Sequence, residues 1–192
     1  TRCELSPTES FKIGWLRTAL YSYWWARKNG GVFRLRIEDT DLARNSDDAL
    51  KAIIEAFDWV GLSYDGEVEY QSKRTQIYKE YINKLLENGN AYKCYMSKDE
   101  LDTLRATQEA AKQTPRYDET WRPEDGKILP AIPENVEPVI RIKAPKTGEI
   151  RSLDGVKGER KLDASYVEEC GIARWNGMTK YNYVVIIDEM MM

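Results

Sequence analysis

The sequence of 192 residues contains no histidine. Without an imidazole, the chain has no Ser-His-Asp or Cys-His nucleophile, no histidine metal ligand and no histidine general base. Cysteine is also scarce, since the 3 cysteines lie far apart and form no CxxC pair. We therefore expect reduced, packed thiols in a cytoplasmic protein and no zinc cluster. The cysteines are Cys3, Cys94 and Cys170.

Long apolar runs are missing as well. No stretch approaches the roughly 18 apolar residues of a membrane-spanning helix, and the first residues lack the order of a signal peptide, so we expect no membrane partner. The 12 glycines and 7 prolines are too few for a fibrous chain, and 42% hydrophobic residues can form a core. The net charge of -3 argues against binding nucleic acid through bulk charge but leaves a local basic surface open.

The first forty residues alternate between strand and helix patterns. Apolar residues recur at three- and four-residue steps from Ile13 to Lys28, which predicts a helix that ends at the glycines following Asn29. Residues 32–37 then alternate as a strand does. A strand, a helix and a second strand in this length form a βαβ unit, so we predict an α/β fold with a parallel sheet.

Three more helices and three more strands are expected further along the chain. Ser46 and Gly61 are a helix cap and a helix stop, and Ser97 with Glu100 has the pattern of a capping box. A continuous apolar run near the end predicts a strand that is covered on both faces. We expect helices over 46–61, 72–89 and from Ser97 onward, and strands over 139–142, 149–153 and 183–187.

The most specific string is Arg36-Ile37-Glu38-Asp39-Thr40-Asp41, which follows the second predicted strand. Open α/β sheets bind ligands at the carboxyl ends of their strands, so three carboxylates here indicate a binding site. Taken alone, however, the string favours an acidic turn that caps the next helix. Further strings lie in order along the chain: Thr1-Arg2, Ser6-Pro7-Thr8, Ile13-Gly14, Arg17-Thr18-Ala19-Leu20, Tyr70-Gln71-Ser72, Ala91-Tyr92-Lys93-Cys94-Tyr95, Pro115-Arg116-Tyr117-Asp118, Gly155-Val156-Lys157-Gly158, Ile172-Ala173-Arg174 and Tyr181-Asn182.

Together these strings resemble the bacterial glutamyl-tRNA synthetases, class I enzymes with a Rossmann-type catalytic domain. The resemblance covers the whole chain in order, which is more specific than any single motif. It implies a Rossmann-type parallel core, truncated, with an α+β insertion. The implied division is 1–100 for the first half of the core, 101–170 for a connective insertion of the type that binds the tRNA acceptor end, and 171–192 for the return strand of the core.

The resemblance implies a ligase that activates glutamate with ATP and Mg²⁺ and transfers it to tRNA. Arg2 would pair with the substrate carboxylate, which a guanidinium binds well, and Glu38 would pair with the substrate ammonium group, which a carboxylate binds well. Cys94 has Met96 where some relatives place a second zinc ligand, so we expect no metal site. The resemblance implies that glutamate is bound by Arg2, Ser6, Glu38 and Tyr181. It implies that ATP is bound by Ser6, Lys12 and Gly14.

Several residues depart from the family pattern around the expected nucleotide pocket. Lys12 stands at the catalytic position of the signature histidine, and a lysine offers phosphate a flexible point charge without fixed donor geometry. Glu9 replaces a glycine where the triphosphate is expected, and Trp15 replaces a small residue near the adenine. Glu4-Leu5 replaces Ala-Pro. Because the family's second signature, Lys-Met-Ser-Lys-Ser, is absent too, we expect this chain alone to be impaired as a ligase.

An alternative is a truncated, engineered or degenerate scaffold without catalytic activity that presents an aromatic interaction surface. Adjacent Trp24 and Trp25 cannot both face one side of a helix, so at least one indole should lie at the surface. Trp15 and Trp175 are the other candidates for contact with a partner protein or a second copy. A further possibility is that the chain is part of a longer natural protein. This would explain where the sequence begins and ends, but not the replacements at Glu9, Lys12 and Trp15. ATP binding distinguishes a ligase from a scaffold.

Overall fold

The computed structural model describes residues 1–8, 12–41, 44–174 and 178–192. The chain forms two compact units, Thr1–Gln76 and Ile77–Met192. In the first unit, strands β1 (Arg2–Leu5), β2 (Arg34–Ile37) and β3 (Glu69–Tyr70) form a parallel sheet in that order, with helices α1 (Ile13–Lys28) and α2 (Asp47–Val60) between them. The predicted βαβ unit is confirmed.

Helix α2 shows how local sequence sets the bounds of an element. The side chain of Ser46 accepts a hydrogen bond from the backbone N–H of Ala49, and Asp47 and Asp48 face the positive end of the helix dipole. Gly61 ends the helix in the left-handed conformation, at φ 68°. The predicted span of this helix is therefore confirmed at both ends.

The parallel sheet has one apolar face and one charged face, because side chains alternate along each strand. Cys3, Leu5, Leu35 and Ile37 point to the face that packs against both helices, and they form a core with side chains such as Phe57. The alternating positions carry charge on the opposite face. We call this the charged face, and its members are Arg2, Glu4, Arg34, Arg36 and Glu69.

The second unit is built on an antiparallel sheet. Its strands β4 (Ala91–Cys94), β5 (Val139–Ile142) and β8 (Gly171–Arg174) lie in the order β4-β5-β8. A separate hairpin consists of β6 (Glu149–Asp154) and β7 (Gly158–Asp163). The helices are α3 (Thr75–Glu87), which starts just before this unit, α4 (Lys98–Ala110) and α5 (Tyr181–Met191). The predicted strands at 139 and 149 and the Ser97–Glu100 capping box are confirmed.

The prediction of a strand over 183–187 is wrong, because these residues belong to α5. Tyr183, Val184 and Ile187 are buried at helical spacing while Ile186 is exposed. A short continuous apolar run fits a covered strand and a buried helix equally well, so periodicity does not separate the two. The helix predicted from Ser72 begins at Thr75, after a 3₁₀ turn over Gln71–Arg74.

Two of the three cysteines are packed as expected. Cys3 and Cys94 are buried, but Cys170 is exposed, so the expectation of three packed thiols is wrong for Cys170. Burial raises the pKa of the Cys3 thiol to about 12, which keeps it neutral at physiological pH. Among the described residues, no helix has both the length and the apolar character needed to cross a membrane.

Candidate active site

Arg2, Ser6 and Glu38 all lie on the parallel sheet of the first unit. Arg2 opens β1, while Ser6 and Glu38 directly follow β1 and β2. The backbone N–H of Glu38 donates to the carbonyl oxygen of Leu5 at 2.8 Å, which ties the ends of the two strands together. Two of the three predicted residues are therefore at the carboxyl edge of the sheet, where α/β proteins bind ligands.

A chain of ion pairs connects Arg2 with Glu38 across the charged face. Arg2 Nε donates to Glu4 Oε1 at 2.9 Å, and Arg36 Nη2 lies 2.9 Å from the same oxygen. Arg36 Nη2 also donates to Glu38 Oε1 at 3.0 Å. Arg36 is 0% exposed, so this chain is anchored on a fully buried guanidinium. Two positive and two negative charges alternate, and the four groups are neutral together.

The other two carboxylates of the acidic string hold the backbone in place. Asp39 accepts two hydrogen bonds from Ser72, from its backbone N–H at 2.8 Å and from its hydroxyl at 2.6 Å. Arg44 Nε donates to Asp41 Oδ2 at 2.6 Å. The acidic-turn interpretation predicts a cap on the next helix, but Ser46 caps α2 and Asp39 instead binds Ser72 in the 3₁₀ turn after β3. Glu38 binds Arg36.

Lys12 and Gly14 lie where α1 begins. Lys12 is the N-cap residue, and its Nζ lies 5.7 Å from the centroid of the Trp15 ring. A Cβ added at Gly14 would have no described heavy atom within 4 Å, so the space beside this backbone is open. Trp15 is half-buried and packs against the core. Glu9 and Trp175, which the sequence analysis also singled out, lie outside the described residues.

Tyr181, the fourth residue expected to bind glutamate, lies in the second unit. It begins α5 and is 54% exposed. The helix is held by Tyr183, whose hydroxyl donates to the carbonyl oxygen of Tyr78 at 3.0 Å, and by Asp188, which accepts from the Tyr78 hydroxyl at 3.0 Å. Burial raises the pKa of Tyr183 to about 12, so this phenol remains a donor.

A buried polar network that the sequence analysis missed joins β5 to the loop before β8. Glu169 contacts Arg122 and the hydroxyl of Tyr92, and its backbone carbonyl oxygen accepts from Arg141 Nη1 at 2.8 Å. The Arg141 guanidinium stacks over the ring of Tyr117, 3.9 Å from its centroid. Burial raises the pKa values of both tyrosines, which keeps them protonated. These groups are far apart in sequence, so only the fold reveals their pairing.

The second unit also has a cleft of about 740 Å³ between α3 and its sheet. Three cations, Lys79, Lys93 and Arg174, contribute to its wall together with Tyr95. Positive charge beside an aromatic ring suits phosphate groups and stacked bases. In the described part of the chain, no group of three or more histidine, cysteine, aspartate or glutamate residues is arranged to hold a metal ion.

A parallel sheet with two connecting helices on one face is an α/β architecture of βαβ units. The profile of the family described as "tRNA synthetases class I (E and Q), catalytic domain" matches residues 1–192. The chain therefore belongs to this family. This confirms the predicted resemblance to the glutamyl-tRNA synthetases and the predicted Rossmann-type α/β fold.

Known relatives match the whole chain but only part of their own length. Glutamate–tRNA ligase 1 of Aliarcobacter butzleri is 72% identical over 192 residues, which is 100% of this chain and 41% of the relative. Glutamate–tRNA ligase 1 of Wolinella succinogenes is 58% identical over 192 residues, 100% of this chain and 40% of the relative.

A solved structure has the same fold over nearly the whole chain. The glutamate tRNA ligase of Elizabethkingia meningosepticum, crystallised in complex with its amino acid, has 32% sequence identity and a TM-score of 0.85. The match covers 98% of this chain and 41% of that protein. The chain thus spans about two fifths of the length of these relatives.

Proposed function

We propose that this chain is the part of a glutamate–tRNA ligase that binds L-glutamate on the charged face of its parallel sheet, between Arg2 at the start of β1 and Ser6 and Glu38 at the carboxyl edge. The observation that carries the proposal is the ion-pair chain that holds Arg2 and Glu38 on one face. A guanidinium recognises the carboxylate of an amino acid, and a carboxylate recognises its ammonium group. Ser6 adds a hydroxyl at the end of β1. For Tyr181, glutamate binding stays a prediction from the resemblance.

ATP is the proposed co-substrate, and its proposed binding site is at the start of α1. The open space beside Gly14 and the cation of Lys12 at the helix start fit a phosphate group. Ser6 would hold the nucleotide together with them. Bound with Mg²⁺, ATP would supply the adenylyl group that activates the amino-acid α-carboxylate, with pyrophosphate as the leaving group. Lys12 attracts phosphate only as a flexible charge, and Trp15 is bulky where the family has a small residue, so we propose that ATP binding is impaired in this chain.

The tRNA acceptor end is the proposed partner of the second unit. The cleft lined by Lys79, Lys93, Arg174 and Tyr95 supports this, because it combines cations with a ring on which a base can stack. In this proposal residues 1–100 form the first half of the catalytic core, residues 101–170 the connective insertion, and residues 171–192, which contain β8 and α5, the last part of the truncated core.

Amide chemical shifts in ¹⁵N-labelled protein test whether glutamate binds at this edge of the sheet. We expect L-glutamate to shift the backbone amides of Ser6 and Glu38, and we expect D-glutamate to shift them far less. Arg2→Ala should remove the response because it deletes the carboxylate ligand. Lys51→Ala, which breaks an exposed ion pair on α2, is the control and should respond like the parent chain. Shifts that persist in Arg2→Ala would contradict the assignment.

A second candidate function is an aromatic contact surface on α1. Trp24 and Trp25 are 60% and 64% exposed, and Tyr21 one turn earlier is exposed as well. Three large rings on one short segment form the kind of surface that marks a protein contact. This surface would serve a partner protein or a second copy of the chain, whether or not the ligase site is active.

Sedimentation velocity over a range of protein concentrations tests the aromatic surface. If the surface mediates self-association, the weight-average sedimentation coefficient rises with concentration, and the double variant Trp24→Ala/Trp25→Ala stays monomeric. Trp59→Ala removes an indole on α2 that is 84% exposed, more than either Trp24 or Trp25, and serves as the control. A parent chain that remains monomeric throughout would rule out self-association through these rings.

A further inference from the structure

We propose that Glu4 is an internal competitor for the substrate carboxylate, a side chain that occupies Arg2 and so weakens the binding of L-glutamate. The proposal rests on the proposed function of Arg2 as the ligand of that carboxylate. Glu4 stands where the family has alanine, so its carboxylate is an addition to the site.

The position of Glu4 follows from the strand geometry. Arg2, Glu4 and Ser6 are spaced by two along β1, so their side chains share one face. Glu4 is also the register partner of Arg36 on β2. Its Oε1 therefore lies 2.9 Å from Arg2 Nε and 2.9 Å from Arg36 Nη2. A carboxylate between two guanidinium groups has the chemistry of the substrate group that Arg2 would bind.

The charges of the four groups support the same conclusion. With Glu4 present, two arginines and two glutamates balance, and an incoming carboxylate meets a guanidinium that is already paired. Without Glu4, Arg2 and Arg36 lose the carboxylate that they share, and this chain of four groups loses one of its two negative charges. The Glu4 side chain is 31% exposed, so this contact lies at the accessible side of a cluster that is otherwise anchored on buried Arg36.

Glu4 therefore acts as a determinant of amino-acid affinity. A charge-assisted hydrogen bond contributes enough that its removal should change the dissociation constant for glutamate by about 10- to 100-fold. Removal of the Glu4 side chain should increase the affinity for L-glutamate. Removal of a stabilising or substrate-binding side chain would instead decrease it.

Two measurements on the same variants test the proposal. The first is the rate at which an arginine-selective dicarbonyl modifies Arg2, followed by mass spectrometry. Glu4→Ala should raise this rate at least about fivefold, because the guanidinium loses a charged partner. The second is the dissociation constant for L-glutamate from the amide shifts of Ser6 and Glu38, which should fall about 10- to 100-fold in Glu4→Ala.

Two further variants control for folding and for charge. Glu4→Gln keeps the length of the side chain without its charge and should act in the same direction as Glu4→Ala. Glu55→Gln removes an exposed carboxylate of α2 that pairs with Lys51 and lies away from the charged face. This control should leave both the modification rate and the glutamate affinity unchanged.

The outcomes separate this proposal from the proposed function. Faster modification together with tighter glutamate binding in both Glu4 variants supports it. If the parent chain binds glutamate and neither quantity changes on removal of Glu4, the proposal is overturned and the binding function stands. If modification accelerates but no variant binds glutamate, Glu4 remains the ligand of Arg2 and the proposed function is overturned.

Discussion

Replacing Arg36 by alanine should lower the free energy of unfolding by about 3 to 5 kcal/mol. Arg36 is fully buried and holds Glu38, whose side chain is 5% exposed, at 3.0 Å. Its removal leaves the Glu38 carboxylate buried without its positive partner, and an uncompensated buried charge costs far more than a surface ion pair contributes. Urea denaturation followed by circular dichroism measures this change.

The matched control is Lys51→Ala, which breaks the exposed pair with Glu55 on α2. That change should cost less than about 0.5 kcal/mol, since both partners remain solvated. A loss below about 1 kcal/mol in Arg36→Ala would mean that Arg36 does not carry the ion-pair chain.

Replacing Asp188 by alanine should destabilise the second unit by about 2 to 3 kcal/mol, judged from the strength of hydrogen bonds to charged groups. Asp188 is fully buried and accepts from the hydroxyl of Tyr78 with both carboxylate oxygens at 3.0 Å. This contact joins α5 to α3, two elements more than one hundred residues apart. The single variants Asp188→Ala and Tyr78→Phe, with the double variant, form a double-mutant cycle that isolates the contact.

We expect a coupling energy of about 1.5 to 3 kcal/mol from the cycle. Glu189→Ala changes the next residue of α5, which is exposed, and should stay within about 0.5 kcal/mol of the parent chain. If the two single variants add up with no coupling, the Tyr78–Asp188 contact does not hold α5.

Local patterns predicted the elements whose ends carry their own signals. α1 lies where its apolar repeat placed it, and α2 begins and ends at Ser46 and Gly61 because a cap and a left-handed glycine act within one turn. The run at 183–187 has no such signal. It is helical because Tyr183, Val184 and Ile187 pack together in the core of the second unit, which no local pattern records.

The site was predictable only as a set of residues. The resemblance singled out Arg2 and Glu38. The two charged residues that connect them, Glu4 and Arg36, could not be paired from the sequence, because they lie opposite each other only when β1 pairs with β2. The sequence does contain a usable signal, since charged residues alternate with apolar ones on both strands. It becomes interpretable once the register is known, because a shift by one residue would move every charge to the other face.

The sequence predicted part of the exposure of the aromatic side chains on α1. The adjacency of Trp24 and Trp25 requires at least one indole at the surface, and both are exposed. Trp24 lies four residues after Leu20, at helical spacing, but the buried residues of α1 are Ala19 and Ala26. Small residues let α1 approach the sheet closely, so the larger rings lie outside the contact.

We propose that this chain keeps the amino-acid site of a glutamate–tRNA ligase and has a weakened nucleotide site. Titration calorimetry with ATP tests that claim on the parent chain and on the triple variant Lys12→His/Glu9→Gly/Trp15→Gly. Lys28→His introduces the same imidazole at the other end of α1 as a control, and circular dichroism verifies that each variant folds. We expect the triple variant to bind ATP at least about tenfold more tightly than the parent, or about 1.4 kcal/mol. Equal affinity in the two chains, or no binding in either, would contradict the account.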